Sequence, residues 1–131
     1  KMLNIIQKLF TTDLYIKVRK NRFEAKNLSF NEDWQAINAE QPFTTERMLI
    51  GTFSVAEPLL TQLITNVTPR SFIRQSLRVV IQPMELIEGG LSEVEERILK
   101  ELALAAGAFK VALHAGAELS DAEAKELLRS V

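Results

Sequence analysis

Few side chains in this sequence have the type and spacing to do chemistry. Lys17, Arg19 and Lys20 form a basic run that could attract an anion, although such a run is more simply the solvated end of a strand. Glu85, Glu88, Glu93 and Glu96 gather around Gly89-Gly90. Their carboxylates could approach Mg²⁺, but a solvated turn before a helix start, where negative charge is favourable, explains them as well. Gly89-Gly90 lacks the glycine spacing and the lysine of a phosphate cradle. His114 is the single histidine, and nucleophilic catalysis needs a partnered constellation. Trp34 is read as packing, since aromatic burial dominates small cores. The chain has no cysteine, which removes thiolate catalysis, disulfides and thiolate metal sites. The expectation is no catalytic, cofactor or metal site.

The elements that would position these residues follow from periodicity. Leu3, Ile6, Leu9 and Phe10 recur at helical spacing with Asn4, Gln7 and Lys8 between them, so residues 2–12 are expected to form an amphipathic N-terminal helix. Met2, after Lys1, is read as the natural start. Alternation predicts a strand over 13–19, and shorter strands over 22–27 and 33–39. Residues 40–53 carry Pro42 and Gly51 and read as mostly loop. Ser54-x-x-Glu57, Ser92-x-x-Glu95 and Ser120-x-x-Glu123 are three capping-box patterns, each opening an apolar helical stripe. The first stripe contains Val55, Leu59, Leu60, Leu63, Ile64 and Val67, with Pro58 placed in the first turn, where proline costs least. Val79, Val80 and Ile81 suit a strand over 78–82 buried on both faces. Gly107 ends the second helix ahead of a strand over 109–113, and Leu127 and Leu128 lie in the last helix. Strands alternating with helices imply an α/β fold: a five-stranded mixed sheet with helices on both faces. The first three strands should be antiparallel neighbours and the last two parallel to the first.

Composition bounds the function. A chain of 131 residues with 47% hydrophobic content suits one domain with a real core. A formal net charge of -1 gives no electrostatic case for nucleic acid. No apolar run approaches the ~20 residues of a spanning helix, and the N-terminal stretch lacks a signal-peptide cleavage pattern. A cytoplasmic location is expected.

The order of several motifs resembles the MreB family of bacterial actin-like proteins. Ser71, Phe72, Arg74, Ser76, Arg78, Val79, Ile81 and Pro83 match its SFxRxSxRVxVxxP segment. Val94, Glu95, Arg97, Glu101, Ala103, Ala106, Gly107, Ala108 and Val111 match a second segment, and Arg47, Met48 and Gly51 fit its RPMxxG. The resemblance implies an actin-like ATPase subdomain IA, ribonuclease H-like, with residues 13–131 as a single subdomain. It also implies rod-shape and cytoskeletal partners. The departures are as informative. Lys17, Val18, Arg19 and Lys20 stand where the family has an Asp-x-Gly-Thr loop for ATP phosphates and metal. Only residues 40–46 stand where it has a small subdomain, Ala115, Gly116 and Ala117 replace a Glu-Glu-Pro turn, and the second lobe is not encoded before Val131. Glu95 matches a glutamate near the hydrolytic water, but its capping box gives it a simpler role.

The expected function is therefore a non-catalytic, MreB-like domain acting through protein–protein interaction with actin-like filament or cell-shape proteins. Two other readings stay open: a membrane-associated adaptor of a pilus or secretion assembly, at the inner face of the cytoplasmic membrane, and a residual nucleotide-binding protein. Leu3, Ile6, Leu9, Phe10, Leu127 and Leu128 are the expected interaction residues, for a homodimer or, at the N-terminal helix, for a membrane surface.

Overall fold

A computed structural model describes residues 11–68 and 76–131. Along the chain run β1 (Thr11–Arg19), β2 (Arg22–Asn27), β3 (Gln35–Asn38), α1 (Phe53–Val67), β4 (Ser76–Pro83), α2 (Glu93–Ala105), β5 (Ala108–Leu113) and α3 (Asp121–Arg129). The sheet has five strands in the order β3-β2-β1-β4-β5. β1–β2 and β2–β3 pair antiparallel, while β1–β4 and β4–β5 pair parallel, as the alternation of elements requires. The N-terminal helix expected over 2–12, with Leu3, Ile6, Leu9 and Phe10, falls almost wholly outside the described residues, as do Ser71, Phe72 and Arg74. Thr11 and Thr12, expected at the end of that helix, instead begin β1, where they pair with Ser76 and Leu77.

Period-two alternation decides which residue faces which layer. Leu14, Ile16 and Val18 of β1, with Val79 and Ile81 of β4, join one core beneath α1 and α2. Tyr15 and Val80 point the other way and meet Ala112, Leu28, Ala124 and Leu128 beneath α3. Helices thus cover both faces, and the Val79-Val80-Ile81 run is wholly buried because each neighbour serves a different layer.

Five expectations are corrected. The strands over 13–19 and 78–82 extend to Thr11 and to Ser76–Pro83, because pairing between β1 and β4 continues through polar residues. The strand over 33–39 shrinks to Gln35–Asn38, and Trp34 lies just before it. The Ser54 capping box does not form. α1 begins at Phe53 behind Thr52, with no side-chain cap, because Gly51 and Thr52 both donate their N–H groups to the Phe43 carbonyl and fix the chain ahead of Ser54. Pro58 consequently lies inside the helix rather than in its first turn, and the carbonyl its ring leaves without a donor belongs to exposed Ser54, open to water.

The other two boxes are complete. Ser92 Oγ accepts from Glu95 N–H at 3.2 Å while Glu95 Oε1 accepts from Ser92 N–H at 3.1 Å, and Ser120 and Glu123 do the same at 3.1 and 2.8 Å. Those bonds hold the exposed Glu123 carboxyl below its usual range. Leu128 is fully buried by its own sheet, and Leu127 packs partly on the same cluster, so neither forms an unpartnered stripe. The sequence pattern missed this because the partners, Tyr15, Leu28 and Val80, are remote in the chain.

Candidate functional site

In open α/β sheets ligands bind beyond the carboxyl ends of parallel strands. Here those ends carry Lys17 to Lys20 on β1, Gln82 to Glu85 after β4, and His114 to Glu118 after β5. Two polar groupings result, one on each face.

On the α1–α2 side, β1 turns into β2 through Lys20 and Asn21, with Asn21 at a positive φ of 55°. Asparagine tolerates that conformation, and its side chain then organises the next loop. Asn21 Oδ1 accepts the N–H groups of Phe43 and Thr44, each at 2.9 Å, and this seats Phe43 in the core. Phe43 stacks on Phe23 with centroids 4.7 Å apart. Gly51 completes the loop by close approach: a Cβ there would lie 2.2 Å from the Thr45 side chain.

The amides of the turn are committed. Lys20 N–H donates to Glu85 Oε2 at 2.6 Å, and Asn21 N–H donates to Thr44 Oγ1 at 3.0 Å. A carboxylate of the chain itself therefore sits on an N–H that a phosphate loop would offer to its ligand. The crevice beside the turn is lined by Met48, Leu49, Pro83, Glu85, Leu86 and Glu95, among others, and holds only about 10 Å³. That is close to the room one water needs. Leu86 reaches into it from a φ of 57°, a conformation rare for a leucine, which marks this turn as held by its surroundings.

On the α3 side, Lys17 is not at a solvated strand end, contrary to expectation. It is about nine-tenths buried, its Nζ lies 3.1 Å from Glu118, and it stands 4.2 Å from the Trp34 ring centroid. Trp34 packs edge-on against Tyr15 at 5.1 Å. The Tyr15 hydroxyl donates to Gln82 Oε1 and accepts from Leu119 N–H at 3.1 Å. Gln82 Nε2 in turn donates to the Gly116 carbonyl at 2.8 Å. Burial pushes the Tyr15 phenol up, the Leu119 N–H opposes this, and the carboxylates of Glu118 and Glu123 add to the rise. His114 Nε2 lies 2.7 Å from the Ala117 carbonyl, so this histidine pins the loop after β5.

Arg19 and Arg22 both bond to Glu24, at 2.9 and 3.1 Å. Burial pushes the Glu24 carboxyl up, but the two guanidinium groups outweigh it and hold it below the usual range. The hydrogen bond to Glu24 likewise raises Arg19. Two of the three cations of the basic run are thus paired within the chain. The Lys17 pairing is invisible in the sequence, because Glu118 is remote from Lys17. Glu85, Glu88, Glu93 and Glu96 do not converge, and no metal-type cluster occurs among the described residues.

The chain is 35% identical over 125 residues to the uncharacterized protein YjaA of Escherichia coli (strain K12), an alignment covering 88% of this chain and 96% of that protein. The chain belongs to the YjaA family. No protein-family profile matches it. The YjaA description assigns no activity, so the functional reading of this YjaA-family chain rests on its geometry. Among the described residues, no helix is long and apolar enough to cross a membrane.

Proposed function

We propose that this protein is a non-catalytic actin-like domain of the cytoplasm, working by binding other proteins, with actin-like filament or cell-shape proteins as the partner class. The carrying observation is the Lys20 N–H to Glu85 bond. An internal carboxylate on the turn amide, with room for about one water beside it, argues against a phosphate seat at this turn. The five-stranded mixed sheet, in the order β3-β2-β1-β4-β5, is compatible with the subdomain IA that the resemblance implies. Glu95 serves the Ser92 cap, and a general base needs a substrate within hydrogen-bond reach.

Titration calorimetry with ATP and Mg²⁺ tests this. No heat of binding is expected. Magnesium-dependent ATP turnover that disappears in Glu95→Ala would overturn the reading.

A further inference from the structure

We infer that β5 is the seam of a symmetric homodimer: two copies pair their β5 edges antiparallel about a two-fold axis beside Val111. This inference rests on the interaction reading above and names its surface and partner.

β5 is an edge of the sheet, with no strand on its outer side among the described residues. Such an edge presents unpaired N–H and C=O groups, and its sequence AFKVAL is mostly apolar. A groove of about 380 Å³ runs along it, lined by Leu91, Glu96, Lys100, Val111, Leu113 and Val131. An added strand would lay alternate side chains into this groove while its backbone extends the sheet.

Self-pairing gives that added strand a consistent register. With Val111 opposite its own copy, Phe109 falls opposite the partner's Leu113, and Lys110 falls opposite the partner's Ala112. Phe109 is 66% exposed and is the extra residue of β5 at a register shift, since Leu77 pairs with Ala108 and Arg78 with Lys110. Bulges re-aim side chains in this way, and an aromatic–aliphatic pair across strands is favourable. Lys110, whose Nζ donates to the Val131 carbonyl at 3.2 Å within its own chain, falls opposite only an alanine methyl.

The helix above the edge agrees with the same axis. Glu96 and Lys100 stand one turn apart on α2, both facing the groove. Neither has an ion-pair partner among the described residues. Pairing β5 antiparallel sets the two α2 helices antiparallel, so Glu96 meets the partner's Lys100, and the reverse contact forms by symmetry. The surface is complementary to itself, as an isologous interface must be. The opposite edge, β3, is short and polar, so pairing stops at two copies.

Light scattering at micromolar concentration tests the seam, with twice the 14.8 kDa chain mass expected. Phe109→Asp, at an exposed position, should weaken the dimer by about tenfold or more with an unchanged circular dichroism spectrum. Glu96→Lys should weaken it by a similar factor, since it sets like charges face to face, and adding Lys100→Glu should restore it. A monomer throughout that range, or a dimer that none of these changes moves, overturns the seam. ATP binding by calorimetry would instead overturn the interaction reading and leave the seam standing, so the two failures are separable.

Discussion

The two faces of the sheet are built on different principles. Beneath α1 and α2, nearly every contact is apolar: Leu14, Ile16, Val18, Val79 and Ile81 meet Leu60, Leu63, Leu99 and Leu102. Beneath α3, the apolar cluster is confined to Tyr15, Leu28, Val80, Ala112, Ala124 and Leu128. Around it stands a ring of paired charges: Asp13 with Arg78 at 2.8 Å, Lys26 with Asp121 at 2.9 Å, and Lys17 with Glu118 at 3.1 Å. Hydrophobic stabilisation scales with apolar area removed from water, whereas partly exposed ion pairs contribute little. The first face therefore supplies most of the stability. The second supplies geometry, in that the bidentate Arg78–Asp13 pair locks the β1–β4 register at residues already opposite each other.

The largest expected effect tests this contrast directly. Leu102→Ala should destabilise by about 3–5 kcal/mol, toward the upper end for a buried leucine. Leu128→Ala, also fully buried, should cost only about 2–3 kcal/mol, because a short helix on a small cluster can move to close the cavity. Urea denaturation of both variants decides it, and equal losses would erase the distinction between the faces.

A smaller change probes the polar network. Tyr15→Phe removes the hydroxyl shared by Gln82 and Leu119 and strands a buried amide oxygen, a loss of about 1–3 kcal/mol. A neutral result in the same denaturation experiment would mean that water replaces the hydroxyl.

The smallest effect depends on pH. Glu24 has a folded-state pKa below its ordinary 4.5. Its contribution is present above that value and is lost as pH falls through the folded-state pKa, where the carboxylate is protonated in both states. Glu24→Gln should lower stability near neutral pH by under about 1 kcal/mol, and the difference should vanish in acid. Thermal melts of both proteins across that range would show the gap closing; a gap independent of pH would point to packing instead.

The apolar face was largely legible in the sequence. Alternation in β1 and the stripes of α1 and α2 predict it, since each residue's side follows from local period. Helix starts were legible only where local chemistry acted alone. Ser92 and Ser120 cap as their motifs predict, whereas Ser54 does not, because the Phe43 carbonyl fixes the chain first. The charged face was hidden for a similar reason. Lys17 reads as a surface residue until Trp34 and Glu118 fold over it from distant parts of the chain. Leu128 read as an unpartnered apolar residue because the far side of the sheet, which buries it, is assembled only in three dimensions.

The contact between Tyr15 and Trp34 has an optical consequence. The chain contains one tyrosine and one tryptophan, and the two rings touch. With excitation beyond the phenylalanine band, its emission thus originates from one corner of the charged face, with an ammonium group beside the indole. Light absorbed by the phenol passes to that indole over a single van der Waals contact. The emission spectrum is therefore a local gauge: it follows the departure of Lys17, Glu118 or the loop before α3, and is nearly blind to events among the leucines on the other side.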